Sequence, residues 1–182
     1  MERGGWTATT VRLPTSTVAT IADRREVEVR MRTGDVVPDF SLPADDGTTV
    51  TLSDELARGP VVLFFYPKAM TTGCTKESCH FRDLGAEFDA AGAIRLGISA
   101  DAVDRQQEFS AKHGFDYRLL SDTDRSVAKT FGVKRPGPLF NKRSTFVIDQ
   151  DRRVLASISS EINMDKHADE ALAVLKARRT EA

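Results

Sequence analysis

Cysteine is scarce: Cys74 and Cys79 are the only two in 182 residues. Neither a multi-disulfide scaffold nor a four-cysteine zinc site can be built from one such chain, so any cysteine chemistry lies in that pair. The three histidines, His80, His113 and His167, form no His-x-x-x-His pattern, and Cys74, Cys79 and His80 lack a fourth ligand, so no metal is expected. No glycine-rich phosphate loop follows a strand-like stretch, and no nucleotide, flavin or other cofactor is expected. Neither sign of charge is in excess, with 26 Lys plus Arg against 27 Asp plus Glu. Nucleic acid and anionic membrane surfaces are therefore not expected partners. The longest apolar run, 61–66, falls far short of the ~18 residues a membrane helix needs. What is present, 40% apolar and 29% charged residues, suits one globular domain with a real core.

Residues 1–32 differ in texture from the rest. Rich in Thr, Arg and Gly and without apolar periodicity, they are expected to be a disordered N-terminal extension to a single domain over 33–180. Pro14, Thr15, Ser16, Thr17 and Thr20 interrupt the apolar centre a secretory signal would need, and Asp23, Glu26 and Glu28 spoil a transit-peptide pattern. An upstream tag, a start at Met31 and a genuine leader all stay open.

From Gly34 strand-like and helix-like stretches alternate, the mark of an α/β fold. Strands are expected at 48–51, 61–66, 94–98, 117–120, 145–148 and 154–158, the last two as a hairpin around Asp149, Gln150 and Asp151. The 61–66 stretch is apolar at every position and closed by Pro67, as in a central strand buried on both faces. A helical turn at 53–56 reads as capped by Ser53. A helix over 72–91 places Phe81, Leu84, Phe88 and Ala91 on one stripe before Gly92. Further helices are expected at 102–113, 126–131 and 165–178.

The cysteines fall where the best strand turns into the longest helix, at the sheet edge where α/β folds collect ligands and catalytic groups. Cys74 lies in the first helical turn, where unpaired backbone N–H groups and the positive end of the dipole stabilise a thiolate, the nucleophilic form. Cys79 follows five residues later, so on a regular helix the two Cα atoms are about 140° apart around the axis and roughly 8.6 Å apart in space. A disulfide needs less than about 7 Å. The pair can bond only if the helix unwinds locally, which describes a switch between two conformations rather than a structural staple.

The segment Pro67-Lys68-Ala69-Met70-Thr71-Thr72-Gly73-Cys74 resembles the peroxiredoxin active-site pattern. Phe64-Phe65-Tyr66-Pro67 and Gly73-Cys74-Thr75-Lys76-Glu77-Ser78-Cys79 narrow the resemblance to the Q type, also called bacterioferritin comigratory proteins. The likeness runs from Gly34 through Arg143-Ser144-Thr145-Phe146 to the last helix. It implies a thioredoxin-like fold, a central mixed β-sheet flanked by helices, and thiol-dependent reduction of hydrogen peroxide and organic hydroperoxides. By that resemblance Cys74 is the peroxidatic cysteine, Cys79 resolves its sulfenic acid as an intramolecular disulfide, and thioredoxin or a similar dithiol restores both. It also implies that Thr71 orients thiolate and peroxide, that Pro67 shields the sulfur, and that Arg143 supplies a fixed cation, with Glu77 as a secondary organiser. The sequence departs from the usual pattern in Thr72, where many members carry proline, and in Ala69-Met70, where acidic residues are commoner.

Two other readings stay on the table. A thiol–disulfide exchange protein would use Cys-x-x-Cys, and here four residues separate the cysteines. A binding module that has kept the fold would use Leu139 and Phe140 as contacts. A transient, catalytic disulfide suits a reducing compartment, so a cytoplasmic monomer or weak homodimer is expected. Oxidising the dithiol is expected to lower helix content around 74–79; circular dichroism and hydrogen exchange that are identical in the two redox states would refute the unwinding argument.

Overall fold

A computed structural model of the chain describes residues 30–181. The expected N-terminal extension therefore lies, up to residue 29, outside the described residues; Met31 packs into the core. A short hairpin of β1 (Ser41–Pro43) and β2 (Thr49–Thr51) leads into α1 (Leu52–Leu56) and the fully buried strand β3 (Val61–Phe65). Next come α2 (Thr72–Asp83), α3 (Gly85–Ala90), β4 (Ile94–Ser99), α4 (Val103–His113), β5 (Arg118–Ser121) and α5 (Ser126–Thr130). The hairpin β6 (Ser144–Ile148) and β7 (Val154–Ser159) and the helix α6 (Asp165–Glu181) finish the chain.

Five strands form one mixed sheet in the order β5-β4-β3-β6-β7, with β3, β4 and β5 parallel and β6 antiparallel to both neighbours. The alternation of β3 divides the core. Val61, Leu63 and Phe65 point to one layer with Leu52, Leu56, Val127 and Phe131, while Val62 and Phe64 point to the other with Phe81, Phe88, Phe109 and Leu172. Thus α2, α3, α4 and α6 cover one face and α1 and α5 the other. A central strand covered on both sides has no polar face to show, which is why 61–66 reads as one apolar run.

Two expectations need correction. The helix expected over 72–91 breaks at Leu84 into α2 and α3. The reason lies outside the helix: Arg95, buried on β4, donates to Phe81 O at 2.8 Å and to both oxygens of Asp116 at 3.0 Å, and a Cβ at Gly85 would stand only 2.9 Å from Asp116 Oδ2. The guanidinium thus satisfies a carbonyl that the helix end leaves open. Ser53 does not cap α1 either. Thr51 holds the N-cap position, and Asp39 accepts the Ser53 N–H at 2.9 Å and its hydroxyl at 2.7 Å.

β3 and β6 pair antiparallel with Phe65 opposite Ser144. The last residue of β3 therefore lies beside the first of β6, and the loops that hold Cys74 and Arg143 meet at one edge of the sheet. The same sheet is tightly filled at Gly97, where a Cβ would come within 2.7 Å of Leu119 and 2.9 Å of Phe64. Gly97→Ala is expected to cost about 1–3 kcal/mol by overpacking, read as a lower urea midpoint at unchanged slope; an unaltered midpoint would show that the sheet relaxes freely there.

Candidate active site

Cys74 is the third residue of α2 and is only 1% exposed. Arg143, in the loop that enters β6, points Nη2 at its sulfur from 3.3 Å. Gly73 lies beside this approach, where a Cβ would meet the same nitrogen at 3.4 Å and Met164 at 3.7 Å, both ordinary contact distances. Nη1 of Arg143 donates to Glu77 Oε2, one turn along α2 from Cys74. Both partners of this ion pair are buried. Burial works against the charge on Arg143, but Glu77 and Cys74 outweigh it and leave the guanidinium more firmly protonated than an ordinary arginine. For Glu77, complete burial is the largest influence and pushes the carboxyl up to about 8 against the pull of Arg143.

Behind this pair stands His167 of α6, fully buried. Its Nδ1 is 2.9 Å from Thr145 Oγ1 and 3.7 Å from Glu77 Oε1, and its Nε2 is 2.9 Å from Ser160 O. Neither His167 nor Thr145 stood out as a site residue in the sequence. A lone histidine on an amphipathic helix carries no local signal, and only the docking of α6 on α2 and β6 brings it here. That docking includes the Lys76–Asp165 ion pair at 2.9 Å and the His80–Asp169 hydrogen bond at 2.8 Å.

Thr71 occupies the N-cap position of α2, exposed, with its hydroxyl donated to Lys68 O at 3.0 Å. Its oxygen keeps its lone pairs for an incoming donor. Pro67, partly buried, lies two residues past the end of β3. The loop between them is held by Asp101, whose Oδ2 accepts the Ala69 N–H and the Ser99 hydroxyl, each at 2.7 Å. Next to Ala69, Met70 adopts a left-handed backbone with φ of 65°. Such a conformation in a side-chain-bearing residue persists only where neighbours impose it. Cys79 is half-buried in the second turn of α2, and both cysteines are free thiols on a continuous helix. Leu139 and Phe140 are exposed, and the Lys68 ammonium lies 5.6 Å over the Phe140 ring.

A profile of the AhpC/TSA family matches residues 33–157. A protein of Mycobacterium tuberculosis named as a peroxiredoxin is 59% identical over 153 residues, which cover 82% of this chain and 99% of that one. The crystal structure of a peroxidoxin from Mycobacterium tuberculosis, 58% identical, superposes with a TM-score of 0.79 over 81% of this chain and 98% of the other. A bacterioferritin comigratory protein of Xanthomonas campestris, studied for its alkyl peroxide reduction, is 35% identical with a TM-score of 0.72 over 79% of this chain and 99% of its own. With a thioredoxin-like sheet, a buried thiol at a helix start and these relatives, the chain belongs to the AhpC/TSA family, as a thiol peroxidase of the peroxiredoxin Q, or bacterioferritin comigratory, type.

Proposed function

We propose that Cys74 is the peroxidatic residue and that Cys79 resolves it. One observation carries this reading: a buried thiol in the first turn of a helix with a guanidinium nitrogen at 3.3 Å. A fixed cation and the helix dipole both favour the thiolate. The sulfur attacks the nearer peroxide oxygen as the O–O bond breaks. The leaving oxygen departs as water or alcohol after taking up the peroxide proton, and Cys74 becomes a sulfenate that takes a proton from solvent to give the sulfenic acid. Arg143 N–H groups face the charge that develops on the leaving oxygen, and the Thr71 oxygen accepts from the peroxide O–H. Glu77 holds the guanidinium in its orientation, and Pro67 narrows the approach to the sulfur.

Cys79 then attacks the sulfenic sulfur, a disulfide forms and water leaves. A dithiol donor such as thioredoxin takes the oxidation by exchange. The substrates are hydrogen peroxide and organic hydroperoxides, a range consistent with the alkyl peroxide activity of the Xanthomonas relative. With both cysteines on one chain no dimer is required, and a reducing cytoplasm suits the dithiol. Disulfide exchange as the primary activity fares worse. A sulfur 1% exposed admits a peroxide but not another protein's disulfide, unless α2 opens first.

One equivalent of hydrogen peroxide added to reduced protein is expected to remove both thiols and lower the mass by about two hydrogens. Both thiols surviving would reject the peroxidase reading. Cys74→Ser abolishes turnover, whereas Cys79→Ser reacts once and is not recycled by thioredoxin; a Cys79→Ser variant turning over like the parent would remove Cys79 from the cycle.

The buried carboxyl sets a pH dependence. The folded-state pKa of Glu77 lies above its unfolded value near 4.5, so the folded protein binds this proton more tightly. The stabilisation is complete below about 4.5 and is lost as pH rises through about 8. In urea titrations the parent should therefore lose stability relative to Glu77→Gln between pH 5 and pH 8.5, estimated from that window; a constant difference would show that Glu77 ionises normally.

A further inference from the structure

The buried charges around Cys74 do not balance on their own. With Cys74 ionised, one cation, Arg143, faces two anions, the thiolate and Glu77, in a cluster closed to water. An unmatched buried charge is expensive. Two features behind Glu77 show where a compensating proton can reside. Its Oε1 is buried and has no hydrogen-bond partner. The imidazole of His167 stands 3.7 Å away, presenting Nδ1 to that oxygen.

The ring is well defined. Ser160 O can only accept, so Nε2 carries a hydrogen and donates to it at 2.9 Å. In the neutral ring Nδ1 is then a lone pair that accepts the Thr145 hydroxyl. A hydroxyl can also turn and accept, so Thr145 serves Nδ1 whether or not it bears a proton. We propose that His167 is a positioning residue for the peroxidatic step: with Glu77 it holds one proton between Oε1 and Nδ1, which keeps the Arg143 cluster neutral while Cys74 is a thiolate. The thiol proton itself leaves to solvent; the shared proton stays.

Other charges on the pair are accounted for. Burial is the largest influence on His167 and lowers its affinity for a proton; the hydrogen bond to Ser160 O raises it, Arg143 from the β6 side and Lys166 on the same helix lower it, and Glu161 of the preceding loop raises it. Glu161 and burial act on Glu77 in the sense that favours its proton. Tyr66 and Tyr117 stay neutral, since burial pushes both phenols up. The two members of the pair are therefore driven toward each other: His167 resists a proton and Glu77 seeks one.

The inference rests on Cys74 as the reacting thiol, but its test does not depend on turnover. In a Cys79→Ser background the ultraviolet absorbance of the thiolate reports Cys74 alone. His167→Gln removes the imidazole that faces Oε1, leaves Glu77 more often ionised, and is expected to raise the midpoint of thiolate formation by about one pH unit, a tenfold loss of thiolate below it. In the Glu77→Gln background, where the side chain is neutral at every pH, His167→Gln should move the midpoint no further. Thr145→Val keeps shape but removes the hydroxyl that competes for Nδ1; it should shift the midpoint downward, and it decides the matter alone if His167→Gln does not fold. An unmoved midpoint in either single variant, or a His167→Gln shift that persists with Gln at 77, would overturn the proposal. A merely structural histidine would alter unfolding without moving the midpoint. A parent protein that forms the thiolate yet consumes no peroxide would instead sink the peroxidase reading.

Discussion

Burying a guanidinium is costly unless its charge is matched, and Arg143, 4% exposed and with its Nε left without a partner, is the group around which this edge of the molecule is arranged. Glu77 takes one terminal nitrogen and the Cys74 sulfur the other. The backbone on either side is tied as well. Its N–H donates to Glu161 at 3.3 Å, and its carbonyl accepts the Ser159 hydroxyl at 3.3 Å. Glu161 also pairs with Arg135 at 2.5 Å, so the loops on both sides of the hairpin β6–β7 are stitched to one cation. Removing either partner would leave a charge buried without compensation, the situation in which ion pairs matter most.

The sheet makes that cation available. Parallel pairing of β3 with β4 requires a crossover, and α2 and α3 supply it, starting where β3 ends. Antiparallel pairing of β3 with β6 brings the start of one strand to the end of the other. A helix dipole and a guanidinium therefore converge on one sulfur. The remaining loop is held in place by Asp101 through the Ala69 amide, with Met70 bent into a left-handed conformation that sets Thr71 at the head of α2. The departure from the usual pattern at Ala69 and Met70 is thus accommodated: Ala69 is buried, and its backbone, not its side chain, makes the tie.

The same helix must be both well anchored and able to open. Tyr117 donates to Ser78 O at 2.7 Å, and Arg95 donates to Phe81 O, while the polar contacts of Lys76 and His80 with α6 flank the turn that carries Cys79. Each of these ties is polar, and they are set around the apolar layer formed by Phe64, Phe81 and Phe88, on which the Tyr117 ring also packs. Polar restraint over an apolar base suits a helix whose two thiols meet only when it unwinds.

Much of this was legible along the chain. The apolar run at 61–66 announced a central strand because both of its faces are covered, and Cys74 announced itself by following that strand at a helix start. Glu77 is one turn from Cys74, a spacing that any helix brings together. Arg143 was legible only through its motif, since spacing says nothing about which strand lies beside β3. His167, Thr145 and Asp101 carry no local mark. The break at Leu84 was hidden for the same reason, because Arg95 and Asp116, which shape it, come from β4 and the approach to β5. By itself the sequence determined the alternation of elements, the place of Cys74 at a helix start after the central strand, and the strain any Cys74–Cys79 bond places on a helix, all of which follow from periodicity and short spacing. Only the tertiary structure decided how the charges around that thiol are matched, because a buried ion is stabilised by whatever the fold packs against it, however distant in the chain.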